Sequence, residues 1–147
     1  MVALPFLRYE KTVGKPHIYW YPEHPKTIGE HIRKRRMDLH LLQSDVAEIL
    51  NICIDSITGW ENGRSEPQIH FYPRIIDFLG YNPFETSKET IGTRIKAYRL
   101  THGLSQKKMG KLISVDGSTI CSWENGITVP NRILLEKVNM VLQNEAT

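Results

Sequence analysis

Trp60-Glu61-Asn62-Gly63 and Trp123-Glu124-Asn125-Gly126 are the same four residues, 63 positions apart. Displacing the sequence by that offset also lays Thr27-Ile28-Gly29 on Thr90-Ile91-Gly92, Ile32 on Ile95, Arg36 on Arg99 and Leu41 on Leu104. Gln43 then meets Gln106, Ile57 meets Ile120 and Pro67 meets Pro130, with no gap. An internal period decides the architecture ahead of any local reading. The unit is long enough to be a small domain, so the chain reads as two related domains in tandem rather than a solenoid. The expected limits are an extended arm over 1–26, a first domain over 27–80, a linker over 81–89 and a second domain over 90–143.

Each domain would hold roughly 50 to 60 residues, near the lower limit for a core that stands alone. No apolar run approaches the roughly 20 residues that span a bilayer, so no membrane association is expected. Met1 to Leu7 is apolar, but no basic residue precedes it and Arg8 follows at once, which makes a poor secretory signal and points to the cytoplasm. In a reducing compartment Cys53 and Cys121, at non-equivalent places in the repeat, read as buried or half-buried thiols rather than a disulfide. The six histidines pair with no cysteine or carboxylate at a metal-ligand spacing, so neither a metal nor another cofactor is expected. No nucleophile, base and orienter set and no glycine-rich phosphate loop appears, which argues against an enzyme.

The net charge of +3 hides an asymmetry. Residues 27–79 carry six basic side chains against eight acidic ones, a net of −2, whereas residues 90–142 carry eight against three, a net of +5. Only the second repeat has the balance expected of a module that meets a phosphate backbone. The basic residues of the first are nonetheless clustered, from Arg33 to Arg36.

Four prolines before residue 26, with Tyr19-Trp20-Tyr21 among them, exclude a helix there. They predict an extended arm packed on the first domain by its aromatics, or else one carrying Arg8, Lys11, Lys15 and Lys26 to a nucleic acid. From Thr27 the spacing turns helical, with a Thr27/Glu30 capping box. Further helices are predicted over 43–50, with Val46, Ala47, Ile49 and Leu50 inward, over 54–61, stopped by Asn62-Gly63, and over 71–79 around Ile75, Ile76, Phe78 and Leu79. The second repeat restarts at Thr90, with helices over 106–113 capped by Ser105, 117–124 capped by Asp116 and 132–142. Both halves are all-α.

Two short helices joined by a tight turn and crossing steeply form a helix-turn-helix, whose second helix enters the major groove. The first helix needs a small residue at the crossing, supplied by Ala47 and Gly110. The second needs an inward apolar residue, supplied by Ile57 and Ile120, and a bulky lock at its end, supplied by Trp60 and Trp123. In these residues both repeats resemble the Cro/Xre family of bacterial and phage repressors. Its pattern is an Arg in the first helix, Leu-Ser/Thr-Gln, a small residue, a short turn, Ile, and Trp/Leu-Glu-x-Gly. The resemblance implies two tandem lambda-repressor-like helix-turn-helix bundles that bind double-stranded DNA and regulate transcription. It also implies structural salt bridges Arg36–Glu61 and Arg99–Glu124. Gln43 and Gln106 would use side chain and helix N-terminus on a phosphate or base edge. Base reading would fall to Ile54, Asp55, Ser56 and Gly59 in repeat one, with Arg64 beyond them, and to Gly117, Ser118, Thr119 and Ser122 in repeat two.

Bidentate base recognition wants Arg, Lys, Asn or Gln, which neither set of third-helix positions offers. Lys107, Lys108 and Lys111 would anchor the second repeat to phosphates, and make it the stronger DNA candidate. Asn51 and Ser114 stand where the family usually has glycine, and Leu42 stands where it has a hydroxyl cap. A phage-type repressor sets two such domains about one helical turn of DNA apart by dimerising. A homodimer, or the tandem chain alone through its extended linker, would do the same. The competing reading is a protein-interaction module, antitoxin-like or adaptor, in which the acidic first repeat serves dimerisation or partner docking.

Overall fold

The computed structural model describes residues 21–85 and 89–144. The arm expected over 1–26 therefore lies largely outside the described residues; 21–26 are non-helical. Tyr21 reaches the first helix, donating to Asp38 Oδ1 at 2.6 Å and accepting from Lys34 Nζ, which also sits 4.7 Å from the centre of its ring. The described residues form eight α-helices and one short 3-10 turn, with no strand among them. They divide into two compact units, 1–67 and 68–147.

In the first unit α1 spans Ile28–Asp38, α2 Gln43–Leu50 and α3 Ile54–Glu61. The start of α1 is fixed by a reciprocal cap: Thr27 Oγ1 accepts the Glu30 N–H at 3.2 Å, and the Glu30 carboxylate accepts the N–H groups of Lys26 and Thr27 at 2.6 and 3.2 Å. Those backbone bonds, that from Lys26 foremost, hold the Glu30 carboxyl below its ordinary range. The cap on α2 is half of that device. The Asp45 carboxylate accepts the Leu42 N–H at 2.7 Å, but Leu42 has no oxygen with which to return the bond. Ile32, Val46, Ala47, Leu50, Ile57 and Trp60 form the buried apolar set. Ile49 departs from expectation: it is 55% exposed, because only every third or fourth position of so short a helix faces the core.

The crossing of α1 over the end of α3 requires a glycine. A Cβ on Gly29 would lie 1.8 Å from the Trp60 carbonyl oxygen, and one on Gly92 would lie 2.0 Å from that of Trp123. The repeated Thr-Ile-Gly is thus a cap followed by a backbone-to-backbone contact. Gly63 and Gly126, both at φ +68°, end the third helix of each repeat.

The second unit holds a 3-10 turn at Ile69–Phe71, α4 (Tyr72–Leu79), α5 (Ile91–Thr101), α6 (Gln106–Ile113), α7 (Gly117–Glu124) and α8 (Arg132–Gln143). Ile95, Met109, Ile113, Ile120, Trp123 and Val138 make its core, with Ile91, Tyr98, Leu104, Leu134, Val141 and Leu142 packed around it. Thr90, Ser105, Asp116 and Asn131 cap the four helices from α5 to α8 through side-chain oxygens. The sequence repeat assigns α4 to the first domain; the division into units groups it with α5, against which it lies, although its buried Ile75 and Leu79 stand outside the core set of the second unit. Ile75 and Leu79 on α4 are buried, while Ile76 and Phe78 are only half-buried.

The turn between the crossing helices places Asn51 at φ +53° and Ser114 at φ +67°. Asn tolerates this left-handed conformation, and Ser carries the steric cost of its Cβ. Ser114→Gly is expected to stabilise the second unit by about 0.5 to 1 kcal/mol, read as a higher urea midpoint with unchanged slope. The Glu30 cap gives a pH dependence of known sign. Its folded-state pKa lies below the ordinary 4.5, so its contribution is present above that pH and is lost as pH falls through the folded value. The stability difference between the native chain and Glu30→Gln is expected to shrink on acidification from pH 7 to pH 3.

Candidate nucleic-acid interface

Each helix-turn-helix is built on one buried carboxylate. Glu61, whose side chain is fully buried, accepts from Arg36 Nε at 2.7 Å and Nη2 at 2.8 Å, and from Gln43 Nε2 at 2.9 Å. Arg36 Nη1 also reaches the Leu41 carbonyl at 3.2 Å, tying the α1–α2 turn to the same group. In the second unit Arg99 Nε and Nη2 reach Glu124 at 2.7 and 3.0 Å, Nη1 reaches the Leu104 carbonyl at 3.1 Å, and Gln106 Nε2 reaches Glu124 at 2.9 Å. A bidentate arginine fork matches a carboxylate in both distance and plane. These four charged residues are therefore scaffold: they set the angle at which the third helix stands against the first.

The repeats differ around that scaffold. Arg33 stands 3.5 Å from Glu61 Oε2 and donates to Asn62 Oδ1 at 2.7 Å. Lys96 holds the matching place in the second repeat. Part of the basic run at 33–36 is thus committed to the protein interior, a fact hidden in sequence because a charge run says nothing of which face it occupies. The Thr58 hydroxyl lies 3.1 Å from Gln43 Oε1, a contact that the spacing alone did not suggest.

Of the residues expected to face DNA in repeat one, Ile54, Asp55 and Arg64 are exposed and Ser56 is half-buried. Gly59 is buried: its carbonyl holds the N–H groups of Arg64 and Ser65, and a Cβ there would meet the Ser65 hydroxyl at 2.8 Å. It shapes the loop after α3 rather than presenting a surface. In repeat two Ser118 is exposed, and Gly117, Thr119 and Ser122 are half-buried; the Ser122 carbonyl holds the N–H groups of Ile127 and Thr128 in the same way. Lys107, Lys108 and Lys111 are all exposed on α6.

Gly117 deserves its place for a steric reason. A Cβ there would sit 3.0 Å from the backbone nitrogen of Lys107, so the first residue of α7 lies directly against the start of α6. The first repeat carries Ile54 at this position, with 47% exposure. Asp116 spends its carboxylate on the Ser118 N–H at 3.2 Å. Both cysteines are free thiols. Cys53 is exposed at the N-cap of α3, contrary to the buried or half-buried expectation, while Cys121 is half-buried. Ser56, through its hydroxyl and then its N–H, holds the Cys53 thiol below its ordinary range. No group of His, Cys, Asp and Glu among the described residues is arranged to hold a metal ion, and no described helix is long and apolar enough to cross a membrane.

Two helices locked across a tight turn, with the outer one ending in a carboxylate clamp, define a DNA-binding class of domain. The sequence profile of the helix-turn-helix family, Cro/C1-type, matches residues 32–85 and again residues 95–145, and the chain belongs to that family. No curated protein and no solved structure matches it.

Removing one partner of a buried pair leaves the other charge without compensation. Glu124→Ala is accordingly expected to destabilise the second unit by about 3 to 5 kcal/mol. Urea unfolding followed through the buried Trp123 measures this, and a loss under about 1 kcal/mol would be the behaviour of an exposed pair instead.

Proposed function

We propose that the chain is a DNA-binding transcriptional regulator that docks a recognition helix in the major groove, with the second repeat supplying most of the contact. The observation that carries this is a charge difference at matched positions of one fold. Where repeat two has Lys107, Lys108 and Lys111, repeat one has Ser44, Asp45 and Glu48, and where repeat two has Ser118, repeat one has Asp55. A surface that meets phosphates gains from the first set and is repelled by the second. Close approach favours the same repeat, since Gly117 leaves the start of α6 without an overlying side chain. On this reading Gln106, Lys107, Lys108, Gly117, Ser118, Thr119 and Ser122 form the DNA face, and Gln43, Asp55, Ser56 and Arg64 contribute little.

A second reading for repeat one rests on its own surface. Leu42, Ile49 and Ile54 are exposed beside Glu48 and Asp55. Exposed apolar side chains with acids next to them in sequence suit a protein partner better than a phosphate backbone. The two readings are compatible in one chain.

Selection of bound duplexes from a random pool, with the full chain, tests the proposal. A single compact motif is expected, rather than two half-sites at about ten-base-pair spacing. Lys107→Glu combined with Lys108→Glu is expected to weaken binding of the selected duplex at least tenfold, and Lys107→Ala with Lys108→Ala to flatten the dependence of log K on log salt by about 2. Equal losses from charge reversal at Arg64 would instead make both repeats DNA readers.

A further inference from the structure

The two glutamines that open α2 and α6 are held differently. Gln43 is engaged at both ends of its amide: Nε2 donates to Glu61 at 2.9 Å, and Oε1 faces the Thr58 hydroxyl at 3.1 Å. That hydroxyl also lies 3.0 Å from the Ile54 carbonyl, so its one proton is shared between the two oxygens. Gln106 keeps only the first bond, from Nε2 to Glu124 at 2.9 Å. The residue matching Thr58 is Cys121, whose sulfur accepts from Asn125 Nδ2 at 3.3 Å.

A carboxylate only accepts hydrogen bonds, so the Gln106 atom on Glu124 must be the amide nitrogen, and the remaining atom is the carbonyl oxygen. No hydrogen bond to that oxygen occurs among the described residues. Among the described residues no buried side-chain nitrogen or oxygen lacks a partner, so Gln106 Oε1 reaches solvent. Its position is the first residue of α6, beside Gly117 and Lys107.

An acceptor at this place has a narrow choice of ligand on DNA. Phosphate oxygens are themselves acceptors and offer it nothing. The donors exposed in the major groove are the exocyclic amino groups, N6 of adenine and N4 of cytosine. We propose that Gln106 is a base-reading residue of the second repeat, accepting through Oε1 a hydrogen bond from an adenine or cytosine amino group. Cys121 acts as the positioning residue, because it lacks the hydroxyl that would occupy that oxygen. The proposal rests on the DNA-binding reading above and deepens it: Gln106 reads a base rather than gripping a phosphate, and its counterpart Gln43 is silenced by Thr58.

The test compares Cys121→Thr with Cys121→Val in the full chain. The two substitutions share a β-branched shape and differ by the hydroxyl alone. In selection from a random duplex pool, the native chain and Cys121→Val are expected to prefer adenine or cytosine over guanine and thymine at one position by roughly tenfold. Cys121→Thr is expected to lose that preference to within about twofold while retaining the rest of the motif, and Gln106→Ala to lose it at the same position. As a direct check, replacing the selected base by an analogue without its amino group should weaken binding of the native chain but not of Cys121→Thr. Equal discrimination by the threonine and valine variants overturns the proposal, as does loss in both, which would make shape rather than the hydroxyl responsible. If the native chain selects no motif and binds no duplex, the DNA-binding reading itself fails, an outcome distinct from either.

Discussion

A carboxylate inside a domain of some sixty residues is tolerable only when its charge is met and its lone pairs are filled. Glu61 and Glu124 satisfy that condition with a two-pronged arginine and a glutamine each. The geometry that results is what everything else hangs on. The arginine comes from the first helix, the glutamine from the second and the carboxylate from the end of the third, so one cluster fixes three helices at once. It also anchors the turn after the first helix, through the arginine's remaining nitrogen and the Leu41 or Leu104 carbonyl. Such a cluster adds little net stability over an apolar replacement, but it tolerates no partial loss.

The backbone contact of Gly29 with Trp60, repeated by Gly92 with Trp123, is the second fixed point. Both copies keep these two contacts at matched positions, and their cores stay apolar while exchanging residues, with Val46, Ala47 and Leu50 answering to Met109, Gly110 and Ile113. Their outer surfaces are free of both constraints, and there the copies part company. Lysines stand in one where a serine and two acids stand in the other, and a glycine stands in one where an isoleucine stands in the other. One scaffold thus carries two surfaces of different chemistry.

This division explains how much could be read before the structure was in hand. Helix limits, the Thr27 and Thr90 caps and the Arg–Glu pairs depend on local chemistry at fixed spacing, and the duplication states each of them twice. What escaped depends on direction in space. Ile49 has the composition of a core residue, yet it falls on the outer side of its helix. Gly59 lies in the recognition helix, yet it is buried by the loop it holds. Arg33 belongs to an outwardly ordinary basic run, but it turns toward Glu61. Cys53 reads as a small hydrophobe, and the N-cap position leaves it in solvent. Helix α4 meets two demands at once, since the repeat gives it to the first domain while it lies against α5.

That last feature bears on how the protein can be taken apart. A fragment cut at the repeat border, beginning near Thr90, would lack α4 and lay bare the side of α5 that α4 covers. A fragment ending at residue 67 would stop just where the family's sequence profile still has eighteen residues of its first match to run. Neither border is therefore a clean seam, because α4 completes the first family match and also lies against α5.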